Sequence, residues 1–399
     1  MREAEIVMLV VVVLLSVFGV VMINSATRGD PALEGYVRRQ ILWLCIGLVG
    51  LVAAAVVPYR LFEAFAYPLY AAVLILLVLL LLEPASFGAR RWIGVGPLHF
   101  QPSEIAKLVV IFTVAKLLAG RKRGESRRRD ILFVAAVVAL PAVLILLEPD
   151  LGTAASLGAP LILMLFWRRV NIAYLLLLVA PLISLVTAFS LITWAVFMIA
   201  LVVILYAARV RVIDALTVFL TSSVAGIITP LAWSLLKDYH RRRILAFLNP
   251  DLDPRGAGWH LLQSKIAIGS GGLLGKGYLA GTQKKLAFLP ERHTDFIFSV
   301  IGEEFGLIGV LVLMGLYFIL IYLGLRNAAE ARNPFASLVA VGIVSILTFQ
   351  IFVNIGVVTG LMPVTGIPLP FVTYGGSSLM TALAMVGVLM NVGRRRFEY

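Results

Sequence analysis

The chain has 399 residues, of which 61% are hydrophobic, with a mean hydropathy of +1.01 and a formal net charge of +13. These values exclude a row of soluble domains, and no polar stretch is long enough to fold by itself, so residues 1–399 read as a single all-α polytopic membrane domain. Nucleic-acid binding is excluded by the distribution of charge: the basic residues sit in short clusters between apolar runs, where lipid head groups and the positive-inside rule account for them.

The first apolar run, near 5–24, resembles a signal h-region but reaches spanning length and is followed by more spans, so it is read as the first transmembrane helix. A hydrocarbon core of about 30 Å needs about 20 residues at about 1.5 Å each. That requirement places further spans near 38–57, 66–83, 102–119, 131–147 and 151–167. Residues 171–208 are almost continuously apolar and would make one helix of about 57 Å, too long even when tilted, so two spans turning near Ser190 are expected. Spans near 214–236, 296–325, 336–358 and 371–392 complete about twelve. The basic loop 121–130, with Trp167-Arg168-Arg169 and Arg394-Arg395-Arg396, puts both termini on the cytoplasmic side and the long segment 237–295 outside. Cys45, the sole cysteine, lies in an apolar run and carries no information on redox compartment.

Four outside elements hold the unusual polar residues. In Phe87 to Leu108, Pro102 suits a first helical turn, Gln101 or Ser103 is expected to satisfy its free N–H groups, and Glu104 lies at the positive end of the helix. Glu104 and Lys107 share a face, which reads either as a structural ion pair or as a direct substrate contact for Lys107. Glu148 and Asp150 flank a tight turn and are expected to pair with outside arginines such as Arg38, Arg39 or Arg91, a structural role. The segment from Lys237 to Leu248 reads as an interfacial helix whose basic residues attract phosphate or rest on anionic lipid. Beyond it, the stretch G-S-G-G-L-L-G-K-G lets backbone N–H groups approach a phosphate, with Lys265 and Lys276 supplying charge; a flexible loop fits as well, and the G-K-[ST] of a Walker A motif is absent. The fourth element, Asn354 to Ser378, is too rich in proline and glycine to stay helical, and Tyr374, Gly375 and Ser377 would bring backbone donors close to a bulky ligand.

Between these elements lies A-F-L-P-E-R-H-T-D-F-I-F-S-V-I-G-E-E-F-G (287–306), where Arg292, His293 and Asp295 crowd the entry to an apolar span. Carboxylates are costly there and mark ion paths, substrate sites or paired charges. A helix cap is the plain alternative for Asp295. No metal site is expected: the four histidines, His99, His240, His260 and His293, include no pair at i, i+4.

Taken together, R-R-W-I with Q-P-S-E-I-A-K-L, E-P-D-L-G-T, G-A-G-W-H-L-L-Q-S-K-I-A-I-G-S-G-G-L-L-G-K-G, F-L-P-E-R-H-T-D-F-I-F and P-L-P-F-V-T-Y-G-G-S-S resemble the SEDS family of rod-shape and division polymerases, RodA and FtsW, over about residues 87–380. Arg292 ahead of His293 and the P-V-T-G-I-P-L-P run look more like the RodA branch. The resemblance implies a SEDS-type helical bundle and a peptidoglycan glycosyltransferase acting on lipid II at the outer face of the bacterial cytoplasmic membrane during cell elongation. It also implies a class B penicillin-binding transpeptidase and other elongation-complex membrane proteins as partners. The family's essential aspartate matches Asp295, and its sensitive positions in and before the fourth span match Glu104, Lys107 and Arg90 or Arg91. Such proteins usually have ten spans; the surplus apolar length here lies in 171–236.

The implied reaction has a sugar hydroxyl displace a lipid diphosphate, with Asp295 accepting the hydroxyl proton. The leaving group calls for positive charge from Arg91, Lys107, Lys265, Lys276 or Arg292, or from a divalent cation such as Mg2+ or Mn2+. His293, Tyr374, Gly375 and Ser377 complete the expected substrate contacts. A lipid II flippase and a division-type polymerase are the rival readings, and the outer clustering of the polar residues favours an enzyme over a transporter.

Overall fold

The computed structural model describes residues 3–28, 33, 35–82, 92–95, 98–120, 128–235, 238–248, 257–282 and 293–397. Every expected apolar run forms helix, with its ends moved by a few residues. The first five are α1 (Glu3–Thr27), α2 (Tyr36–Val56), α3 (Tyr59–Leu82), α4 (Pro102–Ala119) and α5 (Arg128–Leu147). The sixth is divided into α6 (Leu151–Ser156) and α7 (Gly158–Trp167). The long apolar tract splits into α8 (Ile172–Thr187) and α9 (Leu191–Ala207), with Ser190 as the N-cap of α9, and α10 (Val212–Leu235) follows.

Eight helices among the described residues are long and apolar enough by themselves to cross a membrane, fewer than the twelve spans expected. The difference has three physical causes. Helix α4 carries Glu104, Lys107 and Lys116, the sixth run is divided into α6 and α7 of 6 and 10 residues, and α8 and α9 have only 16 and 17 residues. Helices of that length rise about 25 Å, short of a core of about 30 Å.

Outside the long helices there is one short non-helical element among the described residues. Ile93–Val95 and Leu98–Phe100 form an antiparallel hairpin, with Gly94 opposite His99, directly before α4. Pro102 does open α4, but neither Gln101 nor Ser103 caps it through a side chain. The expected interfacial helix is α11 (Asp238–Leu248), and the glycine-rich stretch begins as the end of α12 (Ala257–Gly271) rather than as a loop. Three long helices follow: α13 (Ile297–Glu330), broken at Gly306; α14 (Pro334–Val358); and α15 (Gly376–Arg394). The last begins at Gly376 instead of 371 because the proline-rich loop runs that far.

Helices α14 and α15 form the centre of the bundle and are mostly buried, while α2, α3 and α10 turn most of their surface outward. Apolar residues all round a helix are tolerated in both places, against protein inside and against lipid outside. The close packing of α15 on α2 depends on small residues: a Cβ on Gly387 would stand 2.3 Å from the Leu51 carbonyl oxygen, and one on Gly376 would stand 2.2 Å from the Trp43 ring. Helix α13 packs on α14, α12 runs along α13, and α3 lies on α4. Helices α8 to α10 enclose a smaller cluster of their own around Ala180, Met198, Leu201, Leu205 and Val218.

Candidate active site

Helix ends and loops meet around a cavity of about 700 Å³. Its wall takes Trp92 from before the hairpin, Gln101 and Glu104 from the start of α4, Asp150 and Thr153 from the start of α6, and Arg243 from α11. Thr294 and Asp295 enter from the turn before α13, Pro363 to Gly366, Pro368 and Thr373 to Gly375 from the loop between α14 and α15, and Ser378 from the first turn of α15.

Asp295 is not the cap of α13; Phe296 occupies that position, without a side-chain bond. The main-chain carbonyl of Asp295 accepts from Asn354 Nδ2 at 3.1 Å, and the same nitrogen donates to Ile367 O at 2.9 Å. Across the cavity, Arg243 Nη1 donates to Val364 O at 3.1 Å. Both charged groups converge on Gly366, whose φ of +75° requires glycine: a Cβ there would stand 3.6 Å from Asp295 Oδ2 and 3.9 Å from Arg243 Nη1. One carboxylate and one guanidinium therefore share a small, glycine-floored space.

Lys107 Nζ meets Glu104 Oε1 at 2.7 Å, and their side chains are 2% and 5% exposed. Glu104 lines the cavity and Lys107 does not. Asp150 caps α6, accepting from Thr153 N at 3.1 Å and Thr153 Oγ1 at 3.0 Å, and takes a further bond from Gln101 Nε2 at 3.0 Å. Gln101 and Thr153 thus replace the arginine partners expected for it. Glu148 is fully buried.

At the rim, the Tyr36 ring stands edge-on to His293 at 4.8 Å and lies 4.5 Å from Tyr374. The Tyr374 N–H donates to His293 O at 3.0 Å. Burial raises the Tyr374 hydroxyl above its ordinary pKa and Tyr36 adds to the rise, while the charge and hydrogen bond of Arg39 oppose it. The Gly375 N–H donates to Gln40 Oε1 at 3.3 Å, and Ser377 Oγ accepts from Gln101 N at 3.0 Å, leaving Ser378 to line the cavity.

The remaining expected contacts lie elsewhere. Lys265 is exposed on α12, packed over Gly360, and does not line the cavity. Lys276 is ion-paired with Glu303 at 2.8 Å, also away from the wall. Arg91 and Arg292 lie outside the described residues. Among the described residues, no group of three or more His, Cys, Asp or Glu side chains is placed to hold a metal ion.

Two residues were not singled out from the sequence. Arg243 stood in a run of three arginines, and nothing in that run says which one turns inward. Asn354 is a polar residue in the last turns of an apolar helix, a signal that the loop after it obscured.

The chain matches the Cell cycle protein family of FtsW, RodA and SpoVE over residues 5–197 and 190–398. Peptidoglycan glycosyltransferase MrdB of Escherichia coli (strain K12) is 38% identical, covering 98% of this chain and 93% of that protein. The probable peptidoglycan glycosyltransferase FtsW of Geobacter metallireducens is 37% identical over 98% of this chain and 95% of its own. Among solved structures, a chain from a peptidoglycan synthase complex that coordinates polymerization and crosslinking superposes with a TM-score of 0.73 at 32% identity, covering 98% of both chains. A mutant of the Thermus thermophilus rod shape determining protein RodA gives 0.64 at 28% identity, again over 98% of both.

Proposed function

The chain belongs to the FtsW, RodA and SpoVE cell cycle protein family and is a multi-pass membrane peptidoglycan glycosyltransferase; from that premise we propose that it polymerises lipid II in the elongation branch, with Asp295 as the catalytic base. The observation that carries the reading is the convergence of Asp295 and Arg243 on Gly366 within the cavity. The acceptor sugar hydroxyl attacks the anomeric carbon of the donor, forming a C–O bond as the bond to the lipid diphosphate breaks. Its proton passes to the Asp295 carboxylate, which needs hydrogen-bond reach and a position set in advance. The diphosphate departs with both electrons of the broken bond, and Arg243 offers a planar, permanently charged partner for it.

Arg91, Arg292 and Lys265 are further candidates for contact with the diphosphate, while Lys107 is ion-paired with Glu104 at the wall. His293, Tyr374 and Gly375 bound the sugar side. A divalent cation such as Mg2+ or Mn2+ would enter with the substrate's own diphosphate. The cavity faces outward and both termini face the cytoplasm. This orientation is supported by the position of Arg326, Arg332 and Arg394 to Arg396 at the helix ends opposite the cavity. A class B penicillin-binding transpeptidase beside the polymerase is the partner of this reading, which the likeness to a chain of a complex that coordinates polymerization and crosslinking supports.

The test is glycan synthesis by the purified, reconstituted protein on labelled lipid II, with and without the transpeptidase and a divalent cation. Strands from the wild type and none from a folded Asp295→Asn variant are expected. Equal strand yield from the variant would remove Asp295 from the chemistry.

A further inference from the structure

The turn after α12 is spliced into the break in α13. An unbroken helix would bond Leu307 N–H to the Glu303 carbonyl and Ile308 N–H to that of Glu304. Instead, Leu307 N donates to Gly272 O at 3.0 Å and Ile308 N to Leu273 O at 3.2 Å. The two released carbonyls accept from Lys276 N at 3.0 Å and Gly277 N at 2.9 Å. One turn thus gives a partner to each of the four backbone groups left by the two bonds that the break removes, as buried backbone groups require. Only glycine fits at the contact: Gly306 has φ +61°, Gly275 has φ +79°, and a Cβ on Gly275 would stand 2.2 Å from Glu304 O.

A side-chain lock holds this splice. Glu303, 1% exposed, accepts at one oxygen from Lys276 Nζ (2.8 Å), Thr282 N (2.7 Å) and Thr282 Oγ1 (2.9 Å). Neither Lys276 nor Glu303 lines the cavity. Yet the piece of α13 from Ile297 to Phe305 begins two residues after Asp295, so the acid is carried at the end of the helical piece that the splice fastens. Because its ladder is interrupted at Gly306, the angle of that piece is set by the splice and not by the rest of α13.

We propose that Lys276 and Glu303 are a positioning pair for glycosyl transfer: by locking the 272–282 turn into the break, they hold Asp295 at the distance the acceptor hydroxyl requires. The proposal rests on the assignment of Asp295 as the base, and it gives Lys276 a role other than diphosphate contact.

The test is steady-state glycan synthesis on labelled lipid II by full-length Lys276→Met, Glu303→Gln and Lys276→Arg, with hydrogen–deuterium exchange over residues 293–308. A misplacement of about 1 Å costs on the order of a hundredfold in rate. Both neutral variants are thus expected to lose about tenfold to a hundredfold in turnover at unchanged KM, with faster exchange, while Lys276→Arg retains most of the rate. Should a neutral variant fail to fold, Thr282→Val, which removes one donor to Glu303, carries the same expectation at smaller size. Wild-type turnover or unchanged exchange in the folded variants would overturn the proposal. So would a raised KM confined to Lys276→Met. A wild type that makes no strands in this assay would instead count against the reading of the reaction.

Discussion

The side-chain amide of Asn354 holds two carbonyls at once, that of Asp295 at 3.1 Å and that of Ile367 at 2.9 Å. A single group on α14 thereby ties the turn bearing the acid to the proline-rich loop that forms the opposite wall. Replacing it with leucine strands both acceptors, at about 1–3 kcal/mol for each buried group left without a partner. Asn354→Leu is expected to lower the unfolding temperature and to cut turnover on lipid II about tenfold or more, since small displacements of a base are expensive. Thermal unfolding and strand synthesis check the two effects on the same preparation; wild-type rates would show that Asp295 is held by other contacts.

Arg243 reaches the cavity from α11 and offers the substrate diphosphate a forked set of donors. Arg243→Ala is expected to raise KM for lipid II about tenfold to a hundredfold, the size of one charge-assisted contact of about 1.5–3 kcal/mol. Arg243→Lys should recover only part of this, because a lysine keeps the charge and loses the fork. Titrating lipid II against strand yield decides it: an unchanged KM in Arg243→Ala would place the diphosphate elsewhere.

The Glu104–Lys107 pair is almost wholly removed from solvent. Deleting one partner leaves an uncompensated buried charge, at a cost of about 3–5 kcal/mol, whereas replacing both with apolar residues of similar volume is close to neutral. Lys107→Met alone should therefore unfold at a clearly lower temperature than the wild type, and Glu104→Leu with Lys107→Met should recover most of the loss. Activity separates the roles: a stable but inactive double variant would mean that the pair serves the substrate as well as the fold.

Tyr374 has a hydroxyl whose pKa is raised above the ordinary 10.0, chiefly by burial. As pH passes 10, the unfolded chain releases this proton while the folded chain keeps it, so the folded state binds more protons and stability falls with rising pH. Below pH 10 the residue contributes no such slope. Tyr374→Phe should consequently lose less stability between pH 9.5 and 11 than the wild type does, a comparison open to thermal unfolding at stepped pH. Parallel slopes would show that the hydroxyl is solvated when folded.

Much of the helical plan was legible because hydropathy and rise per residue act locally. The division of 171–208 at Ser190 followed from helix length alone, and α9 is capped at that residue. Pro102 opening α4 followed from the missing N–H of proline. The site was legible in part. Asp295, Glu104, Tyr374 and Gly375 do line one cavity, although they come from three separated stretches of chain. Lys276 illustrates the opposite case. A lysine among glycines suggests a phosphate loop, but the glycines serve a backbone splice and the lysine is committed to Glu303. Asp150 likewise found Gln101 and Thr153 where arginines were expected, since its own helix start supplied donors first.

What the amino-acid order settled by itself was a polytopic helical membrane protein with its polar residues gathered at one set of helix ends, because apolar length and the cost of charge in lipid are properties of short segments. Tertiary structure alone decided which charges face one another. It turned Arg243 toward Asp295 across Gly366, placed Asn354 behind the acid, and inserted the 272–282 turn into the break of α13. Each of these joins residues dozens of positions apart or satisfies backbone groups freed at a distance, and neither hydropathy nor spacing along the chain encodes such a meeting.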